Sequence, residues 1–363
     1  MRTSVVTLLL LSVACVTSPV ALLRTPLTDL PDDLAALTFT AEGRLSTPYV
    51  MLELSQPGGL NGFVVLSGEG LPVWYFRTVG GAVGFTRRPN GNFVFLDSGQ
   101  GLLEVTPAGD IVNRLAQEAP PGRNIHHDVI PTGNNTLLFI ADDWRPWNGA
   151  QVNGVAIWEW NPETGATTRR WSSFDFLNPD EDRGPGSQPG DWLHANSLFF
   201  GPRGNLLLSS PFLNQVISIS PDYKRIEWRL GGPRATLSVA DPFSGQHMVQ
   251  EIAPGRILMF DNGFERTNER YSRAVEYEIA GEQARKVWEW RPSRDNWARA
   301  VGADRRLSNG NTLVVFGVTK DLPVGSTGPL EAYEVTASGS VVWHIVVGGN
   351  IRTMYRATPL ERF

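Results

Sequence analysis

The chain lacks several features that would define its function class at once. It has one cysteine, Cys15, among 363 residues, so no disulfide can form within a single copy. Its positive residues are dispersed and the formal net charge is −5, which argues against the basic stripe of a nucleic-acid-binding protein. Neither a phosphate-cradling Gly loop nor a nucleophile elbow occurs, and this argues against nucleotide enzymes and serine hydrolases.

The apolar run at the N-terminus is too short to span a bilayer. It covers residues 5–14 and follows the positive Arg2, a pattern typical of a secretory signal. We therefore predict a signal over residues 1–15 and an exported protein, periplasmic, bound to the outer membrane or secreted. Cys15 leaves two interpretations open: a lipoprotein signal that anchors the protein through a lipidated Cys15, or a simple cleaved signal with an incidental cysteine.

Glycine, proline and tryptophan are abundant, at 37, 26 and 12 residues. This composition favours many short strands joined by tight turns over helices. With 41% apolar and 19% charged residues, the chain can bury a large core. We therefore predict an all-β fold.

Turn motifs built on glycine recur along the chain, and each precedes a β-rich run. The glycines are Gly91, Gly133, Gly204, Gly255 and Gly310. Asn-Gly and related pairs favour two-residue hairpins, and units of roughly 40 to 55 residues with about four strands are typical of propeller blades. We predict a six-bladed β-propeller with four-stranded blades over residues 46–363, after a lead at residues 16–45. The alternative is a pair of β-sandwiches.

Three of the five histidines share one context, a polar lead-in followed by an apolar run and a Gly turn. His127, His194 and His247 precede their turn glycines by even numbers of residues, which preserves side-chain parity along a strand. Because the first strand of each blade lines the central channel, we expect these side chains to converge on one axial pocket. The alternative for any single histidine is a structural role, which is our prediction for His344.

Several stretches carry a more specific pattern. They are 125–128 (Ile-His-His-Asp) with its Pro-Thr-Gly-Asn turn, 191–197 (Asp-Trp-Leu-His-Ala-Asn-Ser), 228–232, 246–247, 260–263 and 271–277. Together they resemble the bacterial arylsulfotransferases, the PAPS-independent aryl sulfate sulfotransferases. The resemblance covers about residues 50–357 and implies a six-bladed propeller.

The resemblance implies an enzyme that moves a sulfuryl group from an aryl sulfate donor to a phenolic acceptor, by a ping-pong route through a sulfohistidine. His247 matches the histidine that becomes sulfated, and His127 and His194 match those that bind sulfate and handle protons. A neutral imidazole is a competent nucleophile near pH 7, and a protonated one can donate to sulfate oxygens or to a leaving phenolate. No cofactor and no nucleotide sulfate donor are expected, and the oligomeric state stays open.

One position departs from the family pattern. Where the family reads Ser-Ser-Arg, with an arginine that holds the sulfate, this chain reads Ser-Ser-Pro at 209–211. Loss of a charge-assisted anion contact weakens transition-state stabilisation. A non-catalytic ligand-binding propeller is therefore the alternative function, and hydrolysis of a related ester is a third. Arg273 is a candidate replacement cation, unless it pairs with Glu276 or another carboxylate, and His126 is a candidate second imidazole for substrate binding.

Other polar and aromatic candidates have structural alternatives too. Asn196 is predicted to bind substrate or, like Asp128, to orient a pocket histidine, unless it satisfies backbone groups at a strand end. Trp192, Trp144 and Trp147 are candidates for stacking on an aryl group, against a role in blade packing.

Two further expectations concern the loops. The loop at 172–190 is expected to cover one mouth of the channel, and a disordered insertion is the alternative. Oxygens at 142–143 and 261–262 lack the alternating spacing of a calcium loop, so no metal site is predicted.

Overall fold

The computed structural model describes residues 24–56, 58–119, 124–294, 296–318 and 330–362. The predicted signal at residues 1–15, with Cys15, lies outside these ranges. Within them, helical structure amounts to one turn at Asp32–Ala35 and a 3-10 turn at Ser173–Asp175. None of the helices described there is long and apolar enough to cross a membrane.

Six sheets form the blades of a ring, which confirms the prediction of a six-bladed β-propeller with four-stranded blades. Blades are numbered in chain order and strands from the channel outward. The inner strands are Thr353–Leu360, Ala82–Arg87, Ile125–Pro131, Ser197–Phe200, His247–Ala253 and Ala303–Arg306. The second strands are Tyr49–Ser55, Phe93–Asp97, Leu137–Trp147, Leu206–Ser210, Arg256–Asp261 and Thr312–Phe316. The third strands are Asn61–Ser67, Gly101–Val105, Ala150–Trp160, Gln215–Ile219, Arg273–Ala280 and Leu330–Val335. The outer strands are Pro72–Arg77, Ile111–Ala116, Thr167–Ser172, Ile226–Leu230, Gln283–Trp290 and Val341–Gly348.

Both ends of the described chain close the ring. The late strand Thr353–Leu360 is the inner strand of blade 1 and pairs with Tyr49–Ser55. The early strand Thr38–Gly43 adds a fifth strand to blade 6, and a two-residue strand, Ser238–Val239, does the same for blade 5. The ring therefore includes residues before 46, the expected boundary. The sequence did not reveal this edge strand because no turn glycine of the repeated kind precedes it.

The core lies between neighbouring blades, where apolar side chains from adjacent sheets pack face to face. Between blades 1 and 2, for example, the ring centroids of Phe63 and Phe95 are 4.2 Å apart. Trp160, Trp171 and Trp343 are almost fully buried, as expected for blade packing. Burying one large apolar side chain contributes about 1.5–3 kcal/mol, so stability is spread over all the blade interfaces.

The turns between inner and second strands differ in one detail from the prediction. In the first, Arg88 N–H donates to Asn92 O and Gly91 N–H donates to Arg88 O, both at 2.9 Å, which makes a three-residue rather than a two-residue loop. Gly91 has φ of 91°, as the left-handed third position of such a loop requires. In blade 3, Asn135 takes that conformation instead of Gly133.

The direction of the inner strands decides where a site can form. All six run the same way, so their first residues meet at one end of the channel, which we call the histidine face. The glycine turns lie at the opposite face. The connections between blades and the turns between second and third strands also reach the histidine face.

Candidate active site

His127, His194 and His247 come together at the histidine face. The ring centroids of His127 and His194 are 4.8 Å apart, edge to face. Tyr355, from the inner strand of blade 1, has its ring centroid 6.2 Å from that of His127 and 6.4 Å from that of His247. The structure thus brings the three predicted histidines into one cluster and adds Tyr355, which no repeated motif had marked.

The backbone is strained at, or next to, the residues of this cluster. His127, His194, Met248 and Val301 have φ of 60°, 50°, 47° and 54°, in the left-handed region that non-glycine residues rarely adopt. The pairing registers of the inner strands of blades 3 and 5 shift at these places, so bulges re-aim the side chains. Such strain costs on the order of 1–3 kcal/mol per residue and clusters at functional sites.

His247 is buried with its tautomer set by Asn262. The side-chain Nδ2 of Asn262 donates to the carbonyl oxygens of Ala298 and Val301, both at 2.7 Å, so its Oδ1 must face His247. His247 Nδ1 lies 2.8 Å from that oxygen and 3.0 Å from Gly245 O, and two acceptors there require a proton on Nδ1. The lone pair therefore lies on Nε2, which accepts a hydrogen bond from Val301 N–H at 3.3 Å.

The charge state of His247 follows from its surroundings. Burial lowers the pKa of His247 to about 4, against the hydrogen bonds to Asn262 and Gly245, which raise it. The ring is therefore neutral at pH 7. A neutral imidazole with its lone pair on a defined nitrogen has the form that a nucleophile needs.

His194 lies between a carboxylate and an aromatic ring. Its Nδ1 is 2.5 Å from Asp191 Oδ2, and its backbone N–H donates to Asp191 Oδ1 at 3.1 Å. The ring of Phe212 stacks on it, with centroids 4.5 Å apart and planes 16° from parallel. Because Asp191 accepts the Nδ1 proton, the lone pair of a neutral His194 ring lies on Nε2. The His194 side chain is 34% exposed, which sets it nearer to solvent than His247.

The segment before His194 packs on the same face of the ring. A Cβ added at Gly186 would lie 2.8 Å from Phe212 Cα, so only glycine allows this close approach. Asn153 N–H donates to Gly190 O at 2.8 Å, which ties the segment to blade 3. The loop therefore borders the histidine cluster, and Pro211, the position that departs from the family pattern, is buried directly before Phe212.

His126 joins the cluster through its neighbour. The Nδ1 atoms of His126 and His127 are 2.6 Å apart, and His126 Nε2 lies 3.5 Å from Asp142 Oδ1. Burial lowers the pKa of His126 to about 4, against the raising effect of Asp142. Burial and then the nearby His126 hold the pKa of His127 well below its usual range. Both rings are therefore neutral near pH 7.

Arg356 connects the blades that carry the histidines. Its Nη1 donates to Asp128 Oδ1 at 2.6 Å, and its Nη2 donates to Asn196 O at 3.0 Å. The Asn196 side chain in turn donates to Gln246 O at 2.8 Å, the peptide just before His247. Asn196 and Asp128 are thus buried supports beneath the histidines. The sequence did not point to Arg356 because it lies in the closing strand, outside the repeated motifs.

Arg273 is not in the pocket. It is 2% exposed and lies on the third strand of blade 5, where its Nε donates to Asp261 Oδ2 at 2.9 Å. Its Nη1 donates to Asp241 Oδ2 at 2.9 Å and to Glu289 Oε2 at 2.7 Å. The prediction of Arg273 as a sulfate-binding cation is therefore wrong. Its partners are carboxylates of its own blade and the adjoining loop, although not Glu276.

Trp192 is also misassigned as a substrate contact. Its side chain is fully buried in an apolar cluster between blades 3 and 4, and its ring centroid lies 6.3 Å from that of Phe174. Trp144 is different, because it is 44% exposed and its Nε1 donates to Asp142 Oδ2 at 3.4 Å. Of these two tryptophans, only Trp144 offers a surface near the histidine face.

The described residues contain no group of three or more His, Cys, Asp or Glu side chains arranged to hold a metal ion. The oxygens considered for calcium are engaged with protein donors. Asp143 Oδ2 accepts from Arg145 at 2.9 Å, and Asp261 Oδ1 accepts from Ser244 N–H at 3.0 Å.

Comparison with known proteins places this geometry in context. A family model described as Arylsulfotransferase (ASST) matches residues 62–356. No curated protein matches the chain significantly. A protein of unknown function from Bacteroides caccae is similar in structure, with a TM-score of 0.55 and 16% identity over 87% of this chain and 100% of its own.

Two further structures are more distant. Virginiamycin B lyase from Staphylococcus aureus has a TM-score of 0.45 and 10% identity, over 86% of this chain and 99% of its own. Regucalcin from Agrobacterium tumefaciens has a TM-score of 0.46 and 13% identity, over 89% and 94%. At these identities the structural likenesses concern the fold alone.

Proposed function

The chain belongs to the arylsulfotransferase family, and from that premise we propose that it transfers a sulfuryl group from an aryl sulfate to a phenol through a sulfated His247. The observation that carries this proposal is the tautomer of His247. Asn262 and Gly245 hold the Nδ1 proton, so a buried, neutral ring keeps its nucleophilic lone pair on Nε2.

The first half-reaction forms the sulfohistidine. The Nε2 lone pair of His247 gives up its hydrogen bond from Val301 N–H and attacks sulfur. The bond from sulfur to the aryl oxygen then breaks with its electron pair on that oxygen. The His247 ring becomes cationic while the attached SO₃ group is anionic. The oxygens of Asn262 and Gly245 continue to accept the Nδ1 proton, which stabilises the cationic ring.

The second half-reaction transfers the sulfuryl group to the acceptor and regenerates free His247. The oxygen of an acceptor phenol gives up its proton and attacks sulfur, and the N–S bond breaks with its electron pair on His247 Nε2. His127 and His194, whose ring centroids are 4.8 Å apart, share the two remaining tasks of holding sulfate oxygens and moving the phenolic proton. Arg356 contributes positive charge close to this cluster, because its presence lowers the pKa values of both His127 and His247.

The test is the intact mass of the protein after brief exposure to 4-nitrophenyl sulfate without acceptor, together with phenolate release. We expect a sulfuryl-sized mass gain in the wild type and in His344→Ala, whose ring stacks on Tyr333 in blade 6. His247→Ala should show no gain. Added phenol should discharge the adduct.

The competing function is a binding propeller that has lost transfer, and Pro211 is the observation that favours it. The same experiment separates the two functions. Saturable binding of aryl sulfates without any adduct or phenolate, across a panel of donors, would support the binding function. Phenolate release without acceptor and without a lasting adduct would instead indicate hydrolysis.

We also propose that the protein acts outside the cytoplasm, as the signal expected at residues 1–15 implies. Mass analysis of the mature N-terminus tests this directly. A lipid-modified Cys15, lost in Cys15→Ser, indicates a membrane anchor, and a cleaved unmodified N-terminus indicates a soluble exported protein. An intact Met1 would contradict export through this signal.

A further inference from the structure

Two imidazole rings and a carboxylate form a connected chain beside His194. His126 Nδ1 and His127 Nδ1 are 2.6 Å apart, and His126 Nε2 lies 3.5 Å from Asp142 Oδ1. Two ring nitrogens at such a distance share a single proton, because two lone pairs or two N–H groups would repel each other. One of the two rings is therefore the donor and the other the acceptor.

Asp142 decides which arrangement is stable in the resting site. A carboxylate opposite His126 Nε2 favours a proton on that nitrogen. A neutral His126 then has its lone pair on Nδ1 and accepts the Nδ1 proton of His127. The lone pair of His127 must consequently lie on Nε2, where it can accept a proton from a substrate.

The same contacts provide a path for charge. When His127 gains a proton at Nε2, its Nδ1 proton can pass across 2.6 Å to His126. The positive charge then rests on His126, opposite Asp142, and His127 is neutral again with a proton on Nε2. The reverse shift accompanies proton release from His127.

Asp142 is itself held in position. Its Oδ1 accepts from Asn153 Nδ2 at 2.7 Å, and its Oδ2 accepts from Asn124 Nδ2 at 3.3 Å. The charged groups near His126 are Asp142 and Asp191, with His127 and His194 as its titratable ring neighbours. The two carboxylates favour positive charge at His126, whereas Arg356 disfavours it at His127.

We propose that Asp142 and His126 are positioning residues that make His127 the proton-transfer residue of the reaction. His194 is left to bind sulfate oxygens, for which its ring must carry a proton on Nε2 as well as the Nδ1 proton that Asp191 accepts. This inference rests on the proposed function and replaces the expected role of His126 as a substrate contact.

The proton balance closes over one cycle. The cycle starts from the pair that carries one extra proton, taken up from solvent as the donor binds, with a proton on His127 Nε2 and the positive charge on His126. As the donor's S–O bond breaks, His127 gives this Nε2 proton to the aryl oxygen, and the shared proton returns from His126 to His127 Nδ1 across 2.6 Å. As the acceptor attacks the sulfohistidine, His127 Nε2 takes the proton of the acceptor phenol. Each cycle therefore ends with His127 in its starting state, and the relay to His126 lowers the cost of the protonated form.

The test compares two donors that differ in their need for a proton. The 4-nitrophenolate group leaves readily without one, whereas the more basic phenolate of phenyl sulfate does not. In His126→Asn, we expect the single-turnover rate with phenyl sulfate to fall about 100-fold, within the usual range for general acid–base catalysis. The rate with 4-nitrophenyl sulfate should stay within about threefold of wild type by the same reasoning.

Two comparisons make the result specific to the relay. His127→Asn should show the same donor-selective loss, and adding His126→Asn to it should cost little more, because residues that act as one unit are non-additive. His344→Asn should leave both rates unchanged. If His126→Asn does not fold, Asp142→Asn provides the same test, because it removes the carboxylate and retains the shape of the side chain.

Equal losses with both donors, or a change confined to KM, would overturn the relay. In that case the adduct at His247 would still form in the wild type, and the proposed function would stand. If the wild type forms no adduct with 4-nitrophenyl sulfate, the proposed function and the relay fail together.

Discussion

Arg356 and Asp128 form a buried ion pair at the centre of the ring, with Arg356 Nη1 2.6 Å from Asp128 Oδ1 and side-chain exposures of 6% and 3%. Asp128 directly follows His127, and its other oxygen accepts Leu198 N–H at 2.8 Å. One carboxylate thus connects the closing strand to blades 3 and 4. The pair couples closure of the propeller to the position of the histidines.

Removing this arginine should weaken both the fold and the site. Arg356→Met leaves Asp128 buried without its cation, and breaking a buried ion pair from one side typically costs about 3–5 kcal/mol. Urea denaturation should therefore show a lower free energy of unfolding by roughly this amount, with a reduced rate of adduct formation at His247. The matched control is Arg225→Met, because Arg225 is 64% exposed and its partner Glu227 is a surface carboxylate. Equal, small effects from both substitutions would contradict this role for Arg356.

Asn262 should control the reactivity of His247 through its tautomer. In Asn262→Ala the side-chain acceptor for the Nδ1 proton is lost, and Gly245 O remains as the other acceptor. We expect the phenolate burst with 4-nitrophenyl sulfate to slow by about 10- to 100-fold, with little change in KM, because correct tautomer and ring orientation act on the chemical step.

The control for Asn262 is Asn113→Ala in blade 2, where the amide donates to Glu104 Oε2 at 2.8 Å away from the histidines. This variant should react like the wild type. A raised KM with an unchanged burst rate in Asn262→Ala would instead mean that Asn262 contacts the substrate.

The repeat pattern predicted the blades and the meeting of His127, His194 and His247 because both depend on local signals. Turn glycines reflect the local backbone conformation and alternating apolar runs reflect burial of one strand face, so both can be recognised within a single segment. Arg356 could not be found this way, because its partners lie on two other blades and no local pattern marks it. Arg273 and Trp192 were predicted as substrate contacts because they lie beside motifs. The sequence beside a motif is the same whether such a side chain faces the channel or the interior of a blade, so this position alone does not identify a contact.

Acid should destabilise the protein through its buried histidines. The pKa values of His126 and His247 are lowered to about 4 by burial, whereas unfolded histidine titrates near 6.5. The unfolded state therefore binds more protons between these values, so this stability is fully present above about pH 6.5 and is lost as the pH falls towards 4. Each group adds a slope of at most about 1.4 kcal/mol per pH unit.

Urea denaturation of wild type and His247→Gln at pH 7 and pH 5 tests this expectation. The wild type should lose more free energy of unfolding than the variant over this interval. The same loss in both proteins would mean that His247 is not held neutral by the fold. Adduct formation should also persist at pH 5.5, because the nucleophile is still unprotonated there.

Phe212 should affect catalysis through the orientation of His194. The two rings stack at 4.5 Å, and such contacts contribute about 0.5–1.5 kcal/mol, which corresponds to a change of about 2- to 13-fold in rate. Phe212→Leu keeps an apolar side chain but removes the flat surface, so we expect kcat to fall by about this factor while KM for the aryl sulfate stays unchanged. Phe212→Tyr retains the stacked ring and should restore the wild-type rate. A rise in KM in Phe212→Leu that grows with the size of the donor's aryl group would contradict this role. It would show that Phe212 binds the substrate ring, because a ring that only positions His194 would affect all donors equally.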